Sequence, residues 1–503
     1  MSTASPVAER AAGPVGIDVL RRVFSFPAML AGLLVVLAVL TVRWRFDDPD
    51  MWWHLRTGQI IWTTHTIPLV DLFSYTANHH VRVPHEWLSQ VLIYGAYRVG
   101  GYSGLMLWLC FFTATLLVAG YALCSLYSGS AKVGFLGAMI IWFFATSGLS
   151  IRPQMIGYLL LILELLLVHL GRTRNPHWFF WLPPLFAFWV NCHGTFFLGL
   201  VIGGAVLLCS LVNFRMGPLV PSPWDSRTRQ MLALALLLSV AALFLNPVGV
   251  KQVLYPLSLM MHPPVNLNQV EEWGPLQLTD GRGLGFLAIL GSIFLVMVVR
   301  RPELFWDELL MLMLGIGLAA NHRRMVFVFG ILAAPILSRL LSPLWDGYHA
   351  EEDRVLPNAI LIAASLLIAF WSFPDLKNLT RQVDVRNPVK AVAFMKTHHF
   401  SGRMLNDYGY GGYLTWAAPE QPVFVYGGAD IVDWAGVVDE FGKWATLQSD
   451  PNMLLDKYGV DFCLLAQQSP MVHVLPLLNR WKVVYMDDSS VIFMRAGANS
   501  LPK

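Results

Sequence analysis

Three aspartates and a histidine stand together where the first long apolar run ends, in RFDDPDMWWHLRTGQ (Arg45–Gln59): Asp47, Asp48, Asp50 and His54. A carboxylate so placed can take a proton from a hydroxyl, a contribution worth about 10²–10⁴ in rate. With a histidine it can also help hold a hard divalent cation. Local structure competes for the same residues. Pro49 suits the first position of a helix, which makes Asp48 its N-cap and puts Asp50 in the first turn, where the helix dipole favours negative charge. His54 follows four residues later on the same face. Capping accounts for one acid or two, and not for three beside an aligned imidazole. Trp52 and Trp53 read more readily as an interfacial aromatic belt than as a sugar platform.

Other polar groups collect near the ends of later apolar runs: His85 and Glu86 in VPHEWLSQ, Arg152 and Gln154 in SIRPQM, Asn191 and His193 in VNCHGTF, Asn246 in FLNPVG, Glu271 and Glu272, and His322, Arg323 and Arg324 in NHRR. Glu86 falls in the first turn of a helix expected to start near Pro84, as a helix-start acid or a second catalytic carboxylate. Adjacent arginines clamp a phosphate bidentately, so Arg323 and Arg324, with Arg152, His322, His193 and His54, are candidates for holding an anionic substrate. Snorkelling or pairing with carboxylates is the competing use of the arginines. For His193 it is a helix-end turn, and Asn246 before Pro247 reads as the end of a span.

The elements that must position these groups are membrane spans. The chain has 503 residues, 56% hydrophobic and 13% charged, about half the charge of an average soluble protein. Apolar runs of about 17–25 residues recur, each long enough to cross roughly 30 Å of hydrocarbon as a helix. About eleven are expected, near 26–42, 104–126, 132–148, 154–170, 178–192, 195–213, 230–246, 284–300, 305–320, 325–341 and 356–373. Basic residues mark every second connection, which places the N-terminus in the cytoplasm. The opposite side then receives a first outer loop (43–103), the 247–283 loop, the NHRR stretch and everything after Phe373. The organisation is a cytoplasmic segment (1–25) followed by a transmembrane module (26–373). A net charge of +3 spread in short clusters excludes a nucleic-acid surface. The first span lacks a cleavage pattern and reads as a retained anchor. Five cysteines without a CxxC pair give no thiolate metal site.

From 374 to 503 the pattern changes to short alternating segments with Gly and Asn turns, a soluble α/β domain outside the membrane. Within it AVAFMKTHHF is expected to be helical and PVFVYGG and DFCLLAQ to be short strands. WKVVYMDDSSVIFMR is expected to form a hairpin about Asp487–Ser490.

DDPDMWWHLRTG, HEWLSQVL, NCHGTFFLG and NHRRMVFVFGILAAPI, with NDYGYGGYLTW and a YGG turn in the tail, together resemble a bacterial group of GT-C membrane glycosyltransferases. The resemblance spans nearly the whole chain. It implies a GT-C-like α-helical polytopic protein of the bacterial inner membrane that moves a sugar, hexosyl or pentosyl, from a polyprenyl-phosphate donor to an envelope acceptor. It maps the first-loop catalytic carboxylate onto Asp50 or Asp48, with Asp47 third. Some members of the class use Mg²⁺ or Mn²⁺, for which Asp48, Asp50 and His54 would be the ligands here. Tyr426-Gly427-Gly428 stands where the group often carries Asp-Gly-Arg, so no chemistry is assigned to it. The alternative is a non-enzymatic flippase or transporter of lipid-linked or amphiphilic substrates. Such proteins keep polar groups near the bilayer midplane, whereas only Glu164 lies well inside a run here.

Overall fold

A computed structural model describes residues 15–77, 80–261, 274–344, 348, 351, 353–428 and 436–497. Glu271 and Glu272 lie outside the described residues. All eleven apolar runs coincide with helices: α2 (Phe26–Val42), α4 (Trp87–Ser128), α5 (Ala131–Ala145), α6 (Gln154–Thr173), α7 (Leu182–Cys192), α8 (Phe196–Cys209), α9 (Ser226–Ala242), α11 (Gly281–Arg300), α12 (Trp306–Asn321), α13 (Val326–Leu341) and α14 (Val355–Ser372). Among the described residues five helices are long and apolar enough to cross a bilayer: α4, α6, α11, α13 with its preceding turn, and α14. The protein is a multi-pass membrane protein. Short helices α1 (Val15–Val23), α3 (Asp50–Thr64) and α10 (Val250–Met261) join them.

Inside lipid the hydrophobic effect cannot drive helices together, so close packing through small residues must. Gly134 and Gly137 let α5 lie directly on Ser125 and Cys124 of α4. Buried α13 runs beside both, with Phe329 edge-on to Phe144 at 5.5 Å. The first loop is less loop-like than expected. Most of its chain is α3 and the leading part of α4, which Gly101 (φ 56°, ψ −137°) separates from the span that follows. That left-handed conformation is what glycine tolerates and other residues resist.

The tail packs on the same end of the bundle as α3. Helices α15 (Leu376–Arg386), α16 (Val389–Thr397) and α17 (Tyr408–Ala417) accompany a four-stranded sheet ordered β3-β4-β6-β5. Two-residue strands β1 (Leu219–Val220) and β2 (Leu304–Phe305) pair elsewhere, at the far end. In the tail, β3 (Met404–Asn406) runs parallel to β4 (Phe462–Ala466), which pairs antiparallel with β6 (Ser490–Arg495). The expected hairpin is β5 (Trp481–Met486) turning into β6 around Asp487, whose carboxylate accepts the Ser489 and Ser490 N–H groups. DFCLLAQ forms β4, and AVAFMKTHHF lies mostly within α16. PVFVYGG is not a strand. It meets Ser74 through one isolated bridge at Val423, and the Asn406 side chain replaces a neighbouring strand by accepting the Phe424 N–H and donating to the Val425 carbonyl.

Candidate active site

Asp48 caps α3 as its position before Pro49 implies. Pro49 already has helical dihedrals (φ −65°, ψ −27°), and Asp48 Oδ1 accepts the Asp50 N–H at 2.9 Å. The cap does not exhaust Asp48. Its other oxygen accepts Arg152 Nε at 2.6 Å, and Arg152 Nη1 reaches Asp50 Oδ2 at 2.9 Å, so one guanidinium spans both acids. Arg152 is delivered by the turn between α5 and α6. Charge-assisted bonds of this length are among the stronger ones a protein makes.

Asp47 goes another way, to Arg386 of α15 at 3.4 Å. Gln382 of the same helix accepts the Phe46 N–H and donates to the Arg43 carbonyl, fixing the segment that carries the acids. α17 and the YGG turn close over α3 from above. A Cβ on Gly427 would overlap Asp50 Oδ1, and Trp53 Nε1 donates to that same oxygen at 3.3 Å. The Tyr426 hydroxyl donates to Asp71 Oδ1 at 2.9 Å, and Asp71 also accepts the Ser74 hydroxyl and N–H, which pins the turn to the first loop. The YGG turn, to which the sequence assigned no chemistry, therefore backs one of the acids. Trp52 and Trp53 are buried beneath it, 1% and 5% exposed. They form no interfacial belt, because the tail covers them: Trp52 meets Tyr413 at 5.1 Å and Trp53 meets Tyr426 at 6.0 Å.

In front of Asp48 opens a cavity of about 450 Å³. Asp47 and Asp48 line it against Arg45, Arg152, Arg282, Arg323, Arg324 and Arg386. Asp50 is not on that wall; it holds Arg152 from behind. Arg324 donates to Gln154 Oε1 at 2.6 Å, and Arg323 meets Asp280, the N-cap of α11, at 3.1 Å. Six guanidinium groups line the cavity with two carboxylates, while Asp50 and Asp280 pair with two of the six from outside it.

Glu86, His54 and His193 form a separate group. Among the described residues Glu86 has three imidazoles around it: His85 Nε2 and His193 Nε2 at 3.6 Å from Oε1, and His54 Nδ1 at 3.8 Å from Oε2. Gln90 Nε2 lies 3.1 Å from His54 Nδ1, and Thr195 donates its N–H to His193 Nδ1. Burial, then Arg82 and Arg152, hold the His54 pKa well below the usual imidazole range. Burial, His85 and Arg324 do the same to His193. Both rings are held toward the neutral form. None of the four lines the cavity, nor does His322, which caps the end of α12 through its backbone. The expectation that His54 faces the same cleft as the arginine pair does not hold, since the helical turn that aligns it with Asp50 also carries it behind the cavity wall. Asn191 and Asn246 serve structure: the first accepts Trp87 Nε1, and the second caps the turn after α9 by accepting the Val248 and Gly249 N–H groups.

No protein-family model and no curated protein sequence matches the chain. Solved structures do. The Archaeoglobus fulgidus oligosaccharyltransferase tethered with an acceptor peptide containing the NVT sequon superposes with a TM-score of 0.54 at 14% identity, over 96% of this chain and 75% of that one. The archaeal oligosaccharyltransferase AglB from the same organism, in complex with an inhibitory peptide and a dolichol-phosphate, gives 0.52 at 13% over 94% and 75%. ArnT from Cupriavidus metallidurans bound to undecaprenyl phosphate gives 0.52 at 13% over 98% and 100%. The fold is that of the GT-C class.

In this chain the suggested metal ligands do not form a set. Arg152 already occupies the space between Asp48 and Asp50, and His54 turns its Nδ1 to Gln90 and Glu86. Among the described residues no group of three His, Cys, Asp or Glu is placed to hold a metal ion, the imidazoles around Glu86 included. Sequence reasoning overlooked Arg45, Arg282 and Arg386. For the first two a signal existed: they are basic residues in connections assigned to the outer side, against the positive-inside trend.

Proposed function

We propose that the chain is a glycosyltransferase that moves a sugar from a polyprenyl-phosphate donor to an envelope acceptor, working at the extracytoplasmic face of a bacterial inner membrane with its N-terminus in the cytoplasm. The observation that carries this reading is the cavity itself, where Asp47 and Asp48 face an excess of arginines. Support comes from the fold, which two solved structures share while holding dolichol-phosphate and undecaprenyl phosphate respectively.

An acceptor hydroxyl beside Asp48 loses its proton to that carboxylate as its oxygen bonds to the anomeric carbon. The bond from that carbon to the phosphate oxygen breaks, and the lipid phosphate leaves with the added charge. Each carboxylate oxygen has two acceptor sites, so Asp48 can meet the hydroxyl while keeping its cap and its bond to Arg152. Arg323, Arg324 and Arg282 stabilise the departing phosphate, and in many enzymes preorganised charge of this kind supplies most of the rate acceleration. Asp50 fixes Arg152 and so acts as a positioning residue. Glu86 and its histidines brace α3 against the start of α4.

The test is transfer from a panel of polyprenyl-phosphate sugars by the purified protein. Asp48→Asn should abolish transfer in a protein that still inserts and folds. Full transfer by the Asp48→Asn, Asp50→Asn double variant would refute the reading.

A further inference from the structure

Away from the arginine cavity, a second one of about 350 Å³ opens where α2 and α14 both end on the tail side. Its walls come from a short piece of sequence on each helix: Arg43 and Trp44 after α2, Trp371 to Pro374 at the end of α14, and Asp375 and Asn378 at the start of α15. Pro374 creates the gap. It forces Phe373 into an extended conformation (φ −66°, ψ 127°) and turns the chain sideways into α15.

Two observations mark the cavity as a binding site. The first is Arg43, whose Nε is buried and has no hydrogen-bond partner among the described residues. Its guanidinium carbon lies 5.6 Å from the centre of the Trp44 ring. A buried polar group left in this state costs free energy unless something pairs with it. The second is Asp375 on the opposite wall, which uses Oδ1 to cap α15 through the Asn378 N–H and leaves Oδ2 outside that bond. Around these charges the surface is aromatic and open: Trp44 is 58% exposed, Trp371 and Phe370 each 77%. Exposed indoles at the ends of two spans sit at headgroup depth in a bilayer.

We infer that this cavity binds the headgroup of a zwitterionic phospholipid with a primary ammonium, its phosphate on Arg43, its ammonium on Asp375 and its glycerol between Trp44 and Trp371. One cation and one anion across a single cavity fit a headgroup carrying both charges better than a purely anionic one. Leu366, Leu367 and Phe370, exposed on α14 below the cavity, offer the acyl chains a surface. The site lies at the hinge between the membrane module and the tail, so its occupant ties the two together.

Native mass spectrometry of the purified full-length protein, delipidated in detergent and titrated separately with phosphatidylethanolamine, phosphatidylglycerol, phosphatidylcholine and undecaprenyl phosphate, tests this directly. The expected result is preferential retention of phosphatidylethanolamine, reduced about tenfold by Arg43→Gln and by Asp375→Asn, the equivalent of one lost charged contact. Asn at 375 keeps the helix cap, so its loss of lipid is not a folding defect. Equal retention of phosphatidylglycerol, or equal retention of phosphatidylcholine, whose quaternary ammonium cannot donate to Asp375, would overturn the assignment. So would displacement of the bound lipid by undecaprenyl phosphate, or binding unchanged in both variants. Sugar transfer is not read in this experiment, so its outcome is independent of the proposed activity.

Discussion

The two ends of the helix bundle use the same side chains to opposite effect. At the far end Arg172 meets Asp307 at 2.9 Å, Ser222 adds a hydrogen bond to that carboxylate, and Arg339 pairs with Glu308 through both of its oxygens. Each cation there has one acid, and the acids are 3% and 0% exposed. At the tail end six arginines share a cavity with two aspartates. A balanced, closed set can only hold helices together. An unbalanced set around an open volume keeps a positive potential, which under the proposed function a substrate phosphate would satisfy.

That contrast can be broken experimentally at either end. The largest effect is expected from Asp48→Asn, which should lower sugar transfer by about 10³-fold or more, in the upper part of the range for a missing base, in a protein that still folds because Asp50 keeps its bond to Arg152. Glu308→Gln should do the converse. It removes the buried charge that holds the half-buried Arg339, a loss of up to about 3 kcal/mol in stability, while the rate per folded molecule stays the same. If Glu308→Gln instead reduced the rate of the folded fraction, the two ends would not be functionally separate.

A finer test addresses the tail. Gly427→Ala forces Asp50 and the turn apart, and a displacement of about 1 Å at a reacting centre costs on the order of 10²-fold in rate. Asp71→Asn, which removes a charge at the other end of the same clasp without filling space, should cost less.

Next comes pH. His54 and His193 have folded-state pKa values below that of the unfolded chain, so the unfolded state binds more protons once pH falls through about 6.5. Stability should therefore drop as pH is lowered from 6.5, by at most about 1.4 kcal/mol per pH unit for each ring, and be flat above. Thermal melts of His54→Gln should show a shallower acid limb. The smallest expected effect is none: with Arg152 seated between the acids, chelation of divalent ions should leave transfer unchanged. An activity restored by Mg²⁺ or Mn²⁺ after chelation would show that the arginine moves aside for a metal.

Most of the fold was legible because a span announces itself by length and composition within one stretch of chain. The hairpin around Asp487 was legible for the same reason, since its strands and turn are contiguous. PVFVYGG failed because its partners are an asparagine side chain and a residue in the first loop, neither of which leaves a local trace. The site divided along the same line. Asp48 and its proline were readable as a cap, and the first-loop acids were readable as candidates. That Arg152, 104 residues onward, would straddle two of them was not. Nor could spacing show that His54 belongs to Glu86 instead of the cavity, because helical periodicity gives a face and not what that face meets.

The contact between Gly427 and Asp50 joins residues at opposite ends of the chain. During synthesis the acidic loop is therefore made early, and the turn that backs it comes hundreds of residues later. At about 5–20 residues per second the interval is on the order of tens of seconds. For that time the acids have left the ribosome without the surface that sets them in place. The geometry of the cavity thus waits on a turn made long after the acids that it sets in place.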